Sequence, residues 1–273
     1  MSEYSFKFSP SALQCFQDYL DCESNYERFF GHTEEPSLTY EEYERQKFCE
    51  LIDRINRVPF ESEAADKGSC LNEVVDCIVL GVRSTRDDIV IRSIRADNCV
   101  EAVKGQRKFY FDLGFCKELA EYFKRSLCQL YTEASIDTKF GKVLLYGYPD
   151  YVREDMVYDL KTTSKYEFGK YSKYWQQHVY PYTLTESGKC NGIKAFEFTA
   201  FQLKGGNSRQ PLISGDKYPE VYVYDHQRSA RMLRGICEQF GEFLLHNQSL
   251  IKDEKIFGGE RKAEGVPSIA PIA

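Results

Sequence analysis

Residues 142–163 read KVLLYGYPDYVREDMVYDLKTT. Two short apolar runs, 143–146 and 156–160, flank the charged Arg153-Glu154-Asp155 segment, which is the pattern of two strands joined by a tight connection. A β-hairpin turning between Glu154 and Asp155 sets Asp150 opposite Asp159 and Tyr148 opposite Lys161. Directly opposed residues share one face, as do alternate residues along a strand, so Asp150, Asp159 and Lys161 project together. A turn of odd length would break that register.

Two carboxylates with Cβ atoms about 5 Å apart repel each other and destabilise a sheet unless a cation or a shared proton lies between them. Carboxylate oxygens are hard donors that favour Mg²⁺ or Mn²⁺, and a neighbouring ammonium can hold an anionic substrate or position a water. That chemistry suits metal-assisted phosphodiester hydrolysis. The competing reading of a lone D-x-K is a solvated hairpin whose Lys161 merely pairs with an aspartate.

Pro149-Asp150 followed by Asp159-Leu160-Lys161 resembles the PD-(D/E)xK nuclease signature. The resemblance implies that Asp150 and Asp159 bind the catalytic metal, that the Leu160 backbone carbonyl completes its shell, and that Lys161 orients or activates the attacking water. Downstream, Gln176-x-x-x-Tyr180 is similar to the Q-x-x-x-Y motif of the RecB-like branch, which includes phage-type exonucleases. By that resemblance Gln176 and Tyr180 shape the phosphate and strand path. Thr162 and Lys165 add a hydroxyl and a charge for substrate at the strand end. Two further metal positions follow. Glu133 matches an acidic residue on the first core strand of the family, although an isolated strand glutamate is commonly solvated. Asn72 stands four residues after Gly68, where RecB-like nucleases often carry a metal-binding histidine, and asparagine is a weaker, neutral ligand. The implied fold is restriction-endonuclease-like α/β, a mixed central sheet flanked by helices, here with an N-terminal helical lobe.

The chain has 273 residues, 42% apolar and 29% charged, the composition of an ordinary soluble globular protein. The N-terminus MSEYSFKFSP lacks a signal-peptide core and no run of eighteen apolar residues occurs, so a cytoplasmic protein without membrane contact is expected. Ten cysteines are scattered without a C-x-x-C pair and read as reduced thiols. Some RecB-like nucleases hold an iron–sulfur cluster with one N-terminal cysteine and a close C-terminal group of three. Only Cys190 and Cys237 follow the motif here, so no iron–sulfur cluster is expected. The net charge is −6, but residues 1–66 carry −9 and residues 153–209 carry +3, which puts basic charge around the candidate site.

Ser9-Pro10 opens a helix with Leu13, Phe16, Tyr19 and Leu20 on one face, similar to the Ser-x-Ser opening of the RecB-like branch. Thr39-Tyr40-Glu41-Glu42 is a capping box for a second helix. Leu71, Val74, Val75 and Ile78 form a helical stripe, residues 85–97 a strand or hairpin, and Phe115 to Leu130 an amphipathic helix. A strand holds 131–134. A helix holding Tyr171, Tyr174, Trp175, His178 and Val179 follows the hairpin, with Pro181 ending or kinking it and His178 packed rather than catalytic. Strands at 193–203 and 220–225 precede a last helix over 227–246. The expected organisation is one nuclease domain, 1–257, divided into a helical lobe (1–108) and a core (109–257) with a sheet of about five strands, then a flexible tail, 258–273.

The expected activity is that of a Mg²⁺- or Mn²⁺-dependent deoxyribonuclease, an exonuclease acting on DNA ends in recombination or repair. A structure-specific or restriction-like endonuclease, and a nucleic-acid-binding protein with a decayed nuclease core, remain as alternatives. The expected partner is DNA, as duplex ends or single strand. A single-strand annealing or binding protein and a second copy of the chain are further partners that this class suggests.

Overall fold

The structure is a computed structural model that describes residues 4–33 and 35–258. Its N-terminal part begins with β1 (Phe6–Phe8), α1 (Pro10–Leu20), α2 (Cys22–Phe30), α3 (Tyr40–Ile55) and α4 (Glu63–Leu80). Ser9 caps α1 by accepting from the Ala12 amide, and Thr39 and Glu42 form both hydrogen bonds of the capping box on α3. An antiparallel meander follows, of β2 (Ile89–Ile94), β3 (Cys99–Lys104) and β4 (Arg107–Asp112). The expected helical lobe is therefore partly sheet, and a division at residue 108 would cut through β4.

Next come α5 (Leu113–Tyr122), β5 (Leu127–Cys128), β6 (Thr132–Thr138), β7 (Gly141–Gly147), β8 (Tyr151–Arg153) and β9 (Met156–Thr163). The chain continues through α6 (Gln176–Glu186), β10 (Ala195–Lys204), β11 (Ser214–Val223) and α7 (His226–His246). α5 ends sooner than the apolar spacing suggests, because Arg125 takes φ 65°, a left-handed conformation that no helix continues. Tyr171, Tyr174 and Trp175 lie in turns rather than a helix, after Gly169 at φ 78° breaks the chain direction. Pro181 sits inside α6 without ending it.

The fold is α/β. Its largest sheet has five strands in the order β11-β10-β9-β8-β5 and is mixed: β9 and β10 run parallel, the other neighbours antiparallel. A second sheet, β1-β7-β6, pairs β1 parallel to β7. The β8–β9 hairpin has the register read from the sequence. Tyr151 pairs with Tyr158 and Arg153 with Met156, around a Glu154-Asp155 turn whose Glu154 has φ 53°.

One correction concerns the strand before it. Residues 143–146 belong to β7, which pairs with β6 and β1, not with β9. The chain leaves that sheet at Tyr148-Pro149-Asp150 and enters the five-stranded sheet as β8. Pro149 has no amide to give a ladder, and the Asp150 carboxylate takes the Leu160 amide instead, at 2.8 Å.

The hairpin lies between two cores. Val152 and Val157 join a cluster built on β1, β7, α1, α6 and α7, where Phe240 packs 4.6 Å from Phe8 and 4.7 Å from Phe16. Tyr151, Tyr158 and Leu160 join the other, under α4, α5 and the meander, where Tyr151 stacks on Phe123 at 3.9 Å. The expected tail from 258 onward lies outside the described residues except for Gly258, whose amide bonds the Ser5 carbonyl. Among the described residues no helix is long and apolar enough to cross a membrane, and the ten cysteines are unpaired.

Gly147, the last residue of β7, lies against Tyr180, and a Cβ there would fall 2.7 Å from Tyr180 Cε1. Gly147→Ala should therefore cost about 1–3 kcal/mol through overpacking. The expected result is a lower urea midpoint with unchanged slope.

Candidate active site

Alternate residues of β9 face opposite cores, so Asp159 and Lys161 point toward α6 while Leu160 and Thr162 point toward α4. Asp159 is 3% exposed. Its Oδ1 accepts from Gln176 Nε2 at 2.7 Å. Its Oδ2 lies 2.5 Å from Lys161 Nζ in an ion pair. Asp150 accepts from the Leu160 amide through Oδ2 and from Gln129 Nε2 through Oδ1, at 3.1 Å. The same Gln129 amide reaches Asp76 Oδ2 at 3.3 Å. Three carboxylates and one lysine thus form a connected cluster, with Asp159 buried on Lys161, Asp150 half-buried beside them, and the buried Asp76 joined to Asp150 through Gln129.

Their electrostatics follow from that count. Burial, and then the Asp159 charge, push the Asp150 carboxyl up to about 7. Burial also raises Asp159, opposed by Lys161. Burial alone would lower the Lys161 ammonium, but Asp159 and Asp150 outweigh it and hold it above its ordinary value. Asp76 is pushed up to about 6, chiefly by burial.

Gln176 and Tyr180 sit one helical turn apart on α6, and Gln176 touches both Asp159 and the Tyr180 hydroxyl, which the Tyr148 backbone also meets. Burial keeps that phenol firmly protonated. His178 packs, bonding Ser229 at 3.0 Å, and burial lowers it to about 4.

On the other side, Gly68 of α4 approaches Thr162, whose Oγ1 would lie 2.9 Å from an added Cβ. Asp76, two turns further on, reaches Gln129 and lies beside Tyr151. Asn72 falls midway on the same helical face, and its Oδ1 is buried without a partner.

Two expected residues are elsewhere. Glu133 is on the exposed face of β6 and is bonded by the Tyr131 hydroxyl, because its strand belongs to the other sheet. Lys165 is 80% exposed and pairs with Glu167 at 2.8 Å, since the chain leaves the sheet after Thr163. The sequence reading missed Asp76 and Gln129. Asp76 did leave a signal, an acid directly beside the apolar stripe of α4; Gln129, a loop residue at φ 50°, left none.

The donor set suits a hard divalent cation. Asp150, Asp159, the Leu160 carbonyl and Asn72 Oδ1 are all oxygens, and the buried Asn72 Oδ1 lacks a hydrogen bond. Among the described residues no three His, Cys, Asp or Glu side chains converge into a closed metal cage, so neutral oxygens would have to complete the shell.

No protein-family model matches the chain, and no curated protein matches it. Among solved structures, the crystal structure of SSO0001 is 11% identical, with 87% of this chain and 78% of that one covered and a TM-score of 0.38. A likeness that loose carries no argument about fold or function.

Asp150 and Asp76 are raised from the ordinary carboxylate range near 4 to about 7 and about 6. The folded state then binds protons more tightly than the unfolded chain, so their contribution to stability is complete below about pH 4 and is lost as pH rises through 6 to 7. In thermal unfolding with EDTA, the melting temperature should fall over that window. Asp150→Asn should flatten the fall, and Mn²⁺ should restore stability above about pH 7.

Proposed function

We propose that this chain is a metal-dependent deoxyribonuclease that hydrolyses phosphodiester bonds and acts from DNA ends. The observation that supports the reading best is the buried Asp159 paired with Lys161 while the half-buried Asp150 stands beside them, a charge balance that is costly until a cation joins it. A solvated hairpin would carry no such cost.

Asp150, Asp159 and the Leu160 carbonyl would hold Mg²⁺ or Mn²⁺, with Asn72 Oδ1 as a neutral donor in the histidine's place. When bound, the cation supplies Lewis-acid polarisation of the phosphoryl oxygens. Lys161 stays protonated between the two aspartates, so it acts as a hydrogen-bond donor and a positive charge rather than as a base. It orients the attacking water by its lone pair and stabilises charge gathering on the phosphorane-like centre. Gln176 fixes Asp159 by one oxygen, leaving Oδ2 toward Lys161, and Gln129 does the same for Asp150 Oδ1. Thr162 contacts α4, so its part is to seat that helix on the strand. The preference for ends rests on the Gln176-x-x-x-Tyr180 resemblance.

Asp159→Asn should abolish cleavage and remove the stabilisation that Mn²⁺ gives in thermal unfolding. Lys161→Ala should retain the Mn²⁺ stabilisation while turnover falls by roughly a hundredfold or more. Full activity in Asp159→Asn would return the hairpin to an ordinary structural role.

End-labelled linear DNA should be degraded with Mn²⁺ and left intact with EDTA, and covalently closed circles should resist. Circles cut as fast as linear DNA would make the enzyme an endonuclease.

A further inference from the structure

Three cavities adjoin across the Lys161 side of the sheet. The middle one, of about 460 Å³, is bordered by Lys161, Gln176, Tyr174 and Phe60. It shares Gln14, Asp18 and Tyr174 with a cavity of about 710 Å³ between α2 and residues 163–174. In the other direction it shares Arg54, Pro59 and Phe60 with one of about 500 Å³ at the start of α1. The result is a trough with the candidate site near its centre.

Its lining is unlike the rest of the surface. Of the nineteen phenylalanines only three are exposed, Phe29 at 62%, Phe60 at 74% and Phe168 at 90%, and all three border this trough. Single exposed apolar residues are common on any protein, but the whole exposed set of one aromatic type along one groove is not scatter. Phe29 and Phe168 lie at one end, Phe60 at the junction toward the other. Both ends also carry cations, including Lys170 at one and Lys7 at the other, which make no ion pair among the described residues. The middle is different, because Asp18, Glu50 and Asp53 stand there against Arg54 and Lys161.

We infer that the trough holds single-stranded DNA, with Phe168 and Phe60 as base-stacking platforms on either side of Lys161. The inference rests on the nuclease reading and names its substrate class. Exposed rings gain from unpaired bases, whose faces are free, at about 1–3 kcal/mol per base. A duplex hides those faces inside its own stack. It also brings about one phosphate per 1.7 Å of axis, twice the density of one strand, up to the acidic middle of the trough. Cations at the two ends and acids at the centre therefore favour a strand anchored on either side of the site over a rigid double helix.

Binding in EDTA, where nothing is cut, tests this apart from catalysis. A fluorescent oligothymidine and a blunt hairpin duplex are titrated with the full chain and with Phe168→Ala, Phe168→Trp, Phe168→Leu and Phe60→Ala, with melting temperatures checked for each. The oligothymidine should bind at least tenfold more tightly than the duplex. Phe168→Ala and Phe60→Ala should each weaken it by roughly five- to a hundredfold with unchanged melting temperature. Phe168→Trp should retain the affinity and Phe168→Leu should not, since bulk without a π-face cannot stack. Equal binding of duplex, or unchanged affinity in both alanine variants, would overturn the inference even if Mn²⁺-dependent cleavage is found. Tight, phenylalanine-dependent binding in a chain that never cleaves would support the trough and sink the nuclease reading alone.

Discussion

Asp159 and Lys161 form a buried ion pair into which a second carboxylate, Asp150, intrudes, and the surroundings are arranged to tolerate that excess of negative charge. Apart from the Asp159 oxygen on Lys161, the oxygens of these two aspartates are met by neutral donors, the Gln176 amide, the Gln129 amide and the Leu160 backbone. These donors lower the cost of burial without cancelling the charge, and burial with the Asp159 charge pushes the Asp150 carboxyl up to about 7. A cation bound as proposed would compete with the Asp150 proton for one place, and the competition would link stability, pH and metal affinity in a single cluster.

The cluster can exist only because the β8–β9 hairpin is covered on both faces. Phe240, Val179 and their neighbours close one side, and Phe123, Leu71 and Phe111 close the other. Where this packing excludes water, the local dielectric falls and the Asp159–Lys161 pair interacts more strongly. The same sealing makes α4 and α6 the two walls of the site. Gly68 lets α4 reach Thr162, and Gly147 lets the Tyr180 ring lie over the end of β7.

Most of this was legible in the sequence where the signal was local. The Glu154-Asp155 turn fixed the register of Asp150 against Asp159, since a two-residue loop leaves one pairing that buries the apolar set. The caps at Ser9 and Thr39 and the last helix were local or periodic signals too, whereas the mixed sheet of about five strands was implied by the resemblance. What escaped depended on partners far along the chain. Residues 143–146 read as the hairpin's first strand because nothing near them names β1 and β6 as their neighbours. Glu133 looked like a site residue for the same reason. Asp76 joins the cluster through the packing of α4 on the sheet, and Gln129 through a left-handed loop residue, neither of which any period encodes.

The parallel pairing of β1 with β7 also bears on how the protein is made. Phe6 and Phe8 leave the ribosome well before their ladder partners Val143 and Leu145, which lie more than 130 residues later, and Phe240, which packs on Phe8, later still. At about 5–20 residues per second, the opening strand waits on the order of ten seconds for its sheet. Through that interval the nascent chain carries an unsheltered Phe-Lys-Phe segment ahead of an already formable, capped α1. A charge between two apolar residues disfavours edge-to-edge association of such a strand, and in the finished protein the Lys7 ammonium rests 4.5 Å over the Tyr146 ring.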